Sequence, residues 1–353
     1  MAIYGGKPSV SDSLPTEILH EIAAALGTAK DRSALSRTSW LFNAVTTPIL
    51  FRYIYLGSVE TALGCLNTLI KNPARRDCVR SLSIVIQTSG GDYVPTDMIY
   101  PLEAVLRTLS HLEDLYIRIP DFDDRYLVIF ATLLLPELRR FSTYHPGSYA
   151  PLFSSFLRRH PHLTHLDLIR PWVAQDPDPP RVPRLPFHNL SHYRGCSVYA
   201  TALVVPHRTL ASVELWDAPR TTDVATLLAA LGAASAPAAP FALTFLWDGA
   251  PTTLFKPLAK SIPHIRTLIV GPFMAPPRPL STASVQEIAE ALESLVGLAS
   301  LDFNSVQGDT QAHPVHADLA VLTAWSARCP SLVTSRLHCR NWTRIGGKWV
   351  LVN

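Results

Sequence analysis

The side chains best suited to chemistry gather at His160, His162 and His165, behind the basic pair Arg158 and Arg159. Imidazoles are common zinc ligands, so a metal centre is the first chemistry to weigh. These residues straddle an expected helix end and strand start, with Pro161 between them, and that arrangement turns the rings apart. They are read as structural, and no metal is expected. Asp121, Asp123 and Asp124 crowd acids together, but the glycine and distal glutamate of a calcium loop are missing, so a solvated turn is expected there. Cys65, Cys78, Cys196, Cys329 and Cys339 are scattered, with no C-x-x-C pair, and read as reduced packing residues. No G-x-S-x-G, H-E-x-x-H, G-x-G-x-x-G or P-loop string occurs. The expectation is a protein that is not an enzyme, with no catalytic residue and no cofactor.

Composition narrows the partners. The 353 residues carry 31 basic and 28 acidic side chains, a net charge of +3, without the strong basic excess of a nucleic-acid footprint. Hydrophobic residues make up 48% and charged residues 17%, which argues for a folded chain. Residues 1–12 are small and polar, read as a flexible lead, and hold no apolar run of a secretory signal. The longest apolar stretch, Leu127 to Leu135, is far short of the roughly 20 residues that span a bilayer. No nucleic acid and no membrane are expected as partners, and a cytoplasmic or nuclear location is.

Leucine and proline carry the architecture, at 49 and 30 residues. A short phrase with apolar residues at its first, fourth and sixth positions recurs along the chain. Its clearest instances are Val79/Leu82/Ile84, Leu112/Leu115/Ile117, Leu163/Leu166/Leu168, Leu210/Val213/Leu215, Ile265/Leu268/Val270 and Leu298/Leu301/Phe303. Leu138/Phe141, Leu190/Tyr193 and Leu332 to Leu337 are weaker copies. Helical spacing fills the intervals, as at Leu102, Val105, Leu106 and Leu109. The fold class expected is α/β, a solenoid of leucine-rich-repeat type over 53–353, with parallel strands on the concave face and helices outside. Proline-rich stretches at 171–186, 233–240 and 272–279 read as loops between units, and Gly346-Gly347 predicts a closing hairpin within 342–353.

Ahead of the repeats, 13–52 reads as three short helices. The first places Ile18, Leu19, Ile22 and Leu26 on one stripe behind Pro15 and Glu17. The second opens at Asp31 and carries Leu35, Thr38, Phe42 and Val45. The third opens at Thr47-Pro48 and ends near Arg52, where Tyr53-Ile54-Tyr55-Leu56 alternates as a strand. About 40 residues are too few for a robust core of their own, so these helices are expected to leave apolar surface for a partner.

Leu14-Pro15-x-Glu17-Ile18-Leu19-x-x-Ile22, followed by Ala34-Leu35-Ser36-Arg37-Thr38-Ser39, Phe42-Asn43 and Thr47-Pro48-Ile49-Leu50-Phe51-Arg52, resembles the F-box. With the repeats behind it, the chain resembles the F-box proteins with leucine-rich repeats found in mushroom-forming fungi. The resemblance implies a substrate receptor of an SCF-type ubiquitin ligase, docked on a Skp-type adaptor and, through it, on a cullin. By matching position it assigns Leu14, Pro15, Ile18, Leu19, Leu35, Phe42, Pro48 and Leu50 to the adaptor face. Arg32-Ser33, where many F-boxes have a leucine pair, and Trp40, where a basic residue is common, depart from the pattern.

A target protein would meet the outward strand positions. In the stated register these include Asp114, Tyr116 and Arg118, then His165 and Asp167, Glu214 and Trp216, and Asp302 and Asn304. Tyr116, Asp167, Glu214, Trp216, Asp302 and Asn304 are the candidate target-binding residues. The acids Asp167, Glu214 and Asp302 favour a basic target segment.

Overall fold

A computed structural model of the chain describes residues 14–86, 96–119, 124–144, 150–169, 182–217, 223–246, 251–271, 281–303 and 314–352. The lead at 1–12, the acids at 121 and 123, Asn304 and most of the proline-rich stretches lie outside these residues. The chain divides into two compact units, Met1–Ser142 and Thr143–Asn353, so the boundary expected after residue 52 falls within the first unit.

The first unit opens with three helices, the second and third of which start at hydroxyl caps. In α1 (Thr16–Ala25) the Pro15 carbonyl accepts the N–H groups of Ile18 and Leu19, and Glu17 sits in the positive first turn. α2 (Ala29–Ser36) starts one turn earlier than expected, because Thr28 Oγ1 accepts the Asp31 N–H at 3.1 Å and donates to the Asp31 carboxylate at 2.7 Å. Asp31 therefore supports the cap instead of forming it. The expected run from Leu35 to Val45 breaks near Thr38, where Ser39 Oγ accepts the Phe42 N–H and opens a new helix, α3 (Trp40–Arg52). Pro48 lies inside α3 and starts nothing. Its missing N–H removes one backbone bond, and the Thr46 and Thr47 hydroxyls bond back to the Phe42 carbonyl and the Asn43 side chain.

Strands and helices then alternate: β1 (Tyr53–Leu56), α4 (Val59–Lys71), α5 (Pro73–Arg76), β2 (Ser81–Val85), α6 (Ile99–Leu106), β3 (Asp114–Arg118), α7 (Asp124–Thr132) and β4 (Arg140–Tyr144). β1, β2 and β3 pair in parallel and in strict register, which sets Ile54 beside Leu82 and Leu115, and Leu56 beside Ile84 and Ile117. All six face inward and are buried. The residues between them, Tyr53, Tyr55, Ser81, Ser83, Asp114 and Tyr116, face the other way.

The second unit repeats this plan. Its elements are α8 (Ala150–Arg159), β5 (His165–Ile169), β6 (Leu185–Pro186), β7 (His192–Gly195), α9 (Ser197–Ala202), β8 (Leu203–Val204), β9 (Ser212–Leu215), α10 (Val224–Ala234), β10 (Phe241–Leu246), α11 (Pro251–Ser261), β11 (Ile265–Gly271), α12 (Thr282–Leu292), β12 (Ser300–Phe303), α13 (Val315–Arg328), β13 (Thr334–Leu337), β14 (Arg340–Ile345) and β15 (Lys348–Val352). From β5 through β7, β9, β10, β11 and β12 to β13 the strands run parallel, while β6 and β8 pair separately. Leu166, Tyr193, Val213, Leu243, Leu268 and Leu301 form one buried row across this unit. Each such aliphatic side chain is worth about 1.5–3 kcal/mol when fully removed from water. The chain is mixed α/β with mainly parallel pairing. No helix among the described residues is long and apolar enough to cross a membrane.

The end of the second unit differs from the expected hairpin by one extra reversal. Gly346 and Gly347, with φ of 57° and 82°, turn β14 into β15 as the sequence predicts. A second antiparallel turn precedes it at His338 and Cys339, whose φ values of 47° and 62° are unusual without glycine. The buried Asp318 of α13 holds this turn. Its carboxylate meets His338 Nδ1 at 2.7 Å and Arg340 Nη1 at 2.9 Å. Asp318→Asn is expected to lower the thermal midpoint by an amount equivalent to about 3–5 kcal/mol, as for removal of one partner from a buried ion pair, measured by calorimetry or circular dichroism.

His160 occupies a buried site at the end of α8, with Nδ1 2.8 Å from the Phe156 carbonyl and its ring 4.2 Å from the Phe156 ring. Burial pushes its pKa below the ordinary histidine value, and Arg159 adds to this against the opposing Phe156 bond. The neutral ring therefore stabilises the fold fully above about pH 6.5, and that contribution is lost as the pH falls toward the lowered folded-state value. His160→Asn, which keeps a donor but does not titrate, is expected to show a shallower loss of thermal midpoint than the parent chain between about pH 6.5 and 5.

Candidate functional site

Two surfaces gather the residues that the sequence singles out. The first is the three-helix segment. Its core is small: Leu19, Ala23 and Val45 are buried, with Leu14, Leu35, Leu41, Phe42 and Ile49 packed against them. Leu14, Leu19, Leu35 and Phe42, four of the positions assigned to the adaptor face, thus help hold the helices together. Pro15, Ile18 and Pro48 are exposed and Leu50 is half-buried.

The single stripe expected on α1 is split. Leu19 and Ala23 turn toward α3, whereas Ile18 and Ile22 remain 41% and 39% exposed one helical turn apart. Leu26 falls beyond the end of the helix. Trp40, at the first position of α3, is 75% exposed. Removing Ile18, Ile22 and Trp40 from the core leaves apolar surface that this unit's own core does not take up.

The second surface is the outward side of the strands. In the first unit Asp114 pairs with Arg140, and the Arg118 guanidinium lies 4.4 Å from the Tyr116 ring centroid. Two strands away on β1, Tyr53 and Tyr55 are 65% and 69% exposed on the same side. They were not singled out, although the alternation of Tyr53-Ile54-Tyr55-Leu56 carries the signal. Ser81 and Ser83 on β2 separate them from Asp114 and Tyr116, so the small side chains run between two taller rows.

In the second unit the register places Asp167, Arg194 and Glu214 side by side on β5, β7 and β9. Arg194 Nε lies 3.1 Å from the Glu214 carboxylate without hydrogen-bond alignment, and the guanidinium covers Trp216 at 4.0 Å. Farther along, Asp302 lies opposite Arg336. Burial pushes the Asp302 carboxyl pKa up, and the neighbouring Arg336 works against that rise. The acids expected to form a face for a basic segment are therefore interleaved with arginines of the same row, which removes the basis for that preference. The signal was hidden because Arg194 and Arg336 sit in the weakest copies of the apolar phrase. Asn304 lies outside the described residues.

The histidines spread over two strand starts and the connections ahead of strands. His165 stacks on His192 with centroids 4.2 Å apart and planes 5° apart, His162 lies 5.5 Å from His188, and His188 lies 6.2 Å from His207. Among the described residues no group of three or more His, Cys, Asp or Glu is placed to hold a metal ion.

No protein-family model matches the chain, and no curated protein does. Among solved structures, a crystal structure of a Bacteroides fragilis protein is similar at 13% identity, with a TM-score of 0.33. The alignment covers 79% of this chain and 65% of that protein. So loose a superposition carries no argument about the fold or its use.

Proposed function

We propose that this protein is a non-catalytic substrate-recognition adaptor of an SCF-type ubiquitin ligase. In this reading the opening helices are an F-box that docks a Skp-type adaptor and, through it, a cullin. The strand–helix units behind them are leucine-rich repeats whose outward face receives a target protein. The observation that carries the reading is the division of labour within α1 and α3. Leu19, Ala23 and Val45 close a minimal core, while Ile18, Ile22 and Trp40 face away from it. Burying an apolar side chain of this size against a partner is worth about 1.5–3 kcal/mol before the costs of association.

The second reading is a scaffold that keeps the repeats and directs nothing to degradation. The interleaved charges of the second unit, which define no acidic or basic target, are compatible with it.

Ile18→Asp with Ile22→Asp tests the proposal at positions that the core does not use. Capture of a purified Skp-type adaptor is expected to fall by about tenfold or more, as for loss of two apolar contacts, with the thermal midpoint held within a few degrees. Equal capture by both chains, measured by calorimetric titration, rejects the F-box assignment. Accumulation of a co-purifying protein once the helices are deleted separates the receptor from the scaffold.

A further inference from the structure

We infer that the first unit carries a second docking site, a cleft for an acidic peptide segment, on the side of α1 away from Ile18 and Ile22. The cleft encloses about 450 Å³. Its aliphatic lining is Ala24 of α1 with Pro48 and Ile49 of α3, and its cationic lining is Arg52 and Arg80, with the His20 ring beside them in the same lining. In α1, His20 and Ala24 are one turn apart, and about 200° of helical rotation separates His20 from Ile18. One helix therefore offers an apolar face on one side and a cationic cleft on the other.

The charges of the cleft are not balanced from within. Asp77 is the one carboxylate in the lining, and it forms no ion pair or side-chain hydrogen bond among the described residues. Arg52 also forms neither, and its guanidinium rests over the Tyr53 ring at 5.6 Å. Arg80 is held in place through Nη1, which donates to the Asp77 carbonyl at 2.7 Å and to the Val79 carbonyl at 3.2 Å; its Nε lies 3.9 Å from Glu113. A held guanidinium and an unpaired one on neighbouring strand starts, with aliphatic residues in the same lining, suit a segment that carries carboxylates next to an apolar side chain. A basic or uncharged segment would leave Arg52 without a counter-charge, whereas Arg80 already has Glu113 nearby.

The test uses the full chain and a fluorescein-labelled peptide of alternating Glu and Leu, followed by fluorescence anisotropy at low salt. Saturable binding is expected, weakened by about tenfold in Arg52→Glu, where a rim cation becomes a like charge. Arg52 is exposed at the end of α3, so this variant is expected to fold, with circular dichroism as the check. Arg37→Glu makes the same charge change on the same helical segment outside the cleft and is expected to bind as the parent does. The Ile18→Asp, Ile22→Asp chain is also expected to keep the peptide, whatever its effect on adaptor capture. The inference is overturned if binding does not saturate, if the Lys/Leu counterpart peptide binds as tightly, or if Arg52→Glu and Arg37→Glu behave alike. Loss of the peptide only in the Ile18/Ile22 variant moves the site to the other face of α1 and overturns it too.

Discussion

Register between parallel neighbours, strict across β1, β2 and β3, is the constraint from which the other features follow. In a strand the side-chain period is two, so a slip of one residue would send Leu82, Leu115 and their partners to solvent and bring Ser81 and Asp114 into the core. Apolar burial on one side is thus also what holds the tyrosines and charges of the other side in rows. The helices between strands have the complementary task of covering the inner rows. Leu102, Val105 and Leu106 in α6 do this, as do Leu227, Leu228 and Leu231 in α10, and all six are buried.

The same rule explains what could be read from the amino-acid sequence. The spacing of the apolar phrase located β2, β3, β5, β9, β11 and β12, because inward positions of a buried strand are filled by apolar side chains at a period of two. Helix limits were harder. Ser39 and Thr28 look like many other hydroxyl residues until their Oγ atoms are seen to accept the Phe42 and Asp31 N–H groups. The turn at His338 and Cys339 carries no glycine to mark it. Two successive non-glycine residues at positive φ are uncommon, and a carboxylate 20 residues earlier in the chain secures the conformation.

The candidate surfaces were legible in part for a related reason. Helical spacing could show that α1 is apolar, but which of Ile18 and Leu19 is buried depends on where α3 crosses it. Likewise, acids could be placed outward on β5, β9 and β12, but their partners Arg194 and Arg336 came from strands whose apolar signature is blurred by Tyr193 and Ser335. Cross-strand neighbours, not the residues themselves, decide the electrostatic character of a face.

The turn tethered by Asp318 has a consequence for how the chain can vary in length. Two carboxylate oxygens reach the turn and the first residue of β14 from one position on α13, so an inserted or deleted residue between Leu337 and Arg340 would pull at least one of those bonds apart. Closure entropy places only a weak limit on longer connections, since each doubling of a flexible loop costs roughly 0.6 kcal/mol. Size variation among sequences built on this plan should therefore collect in the segments joining strands to helices and spare the reversal ahead of β14.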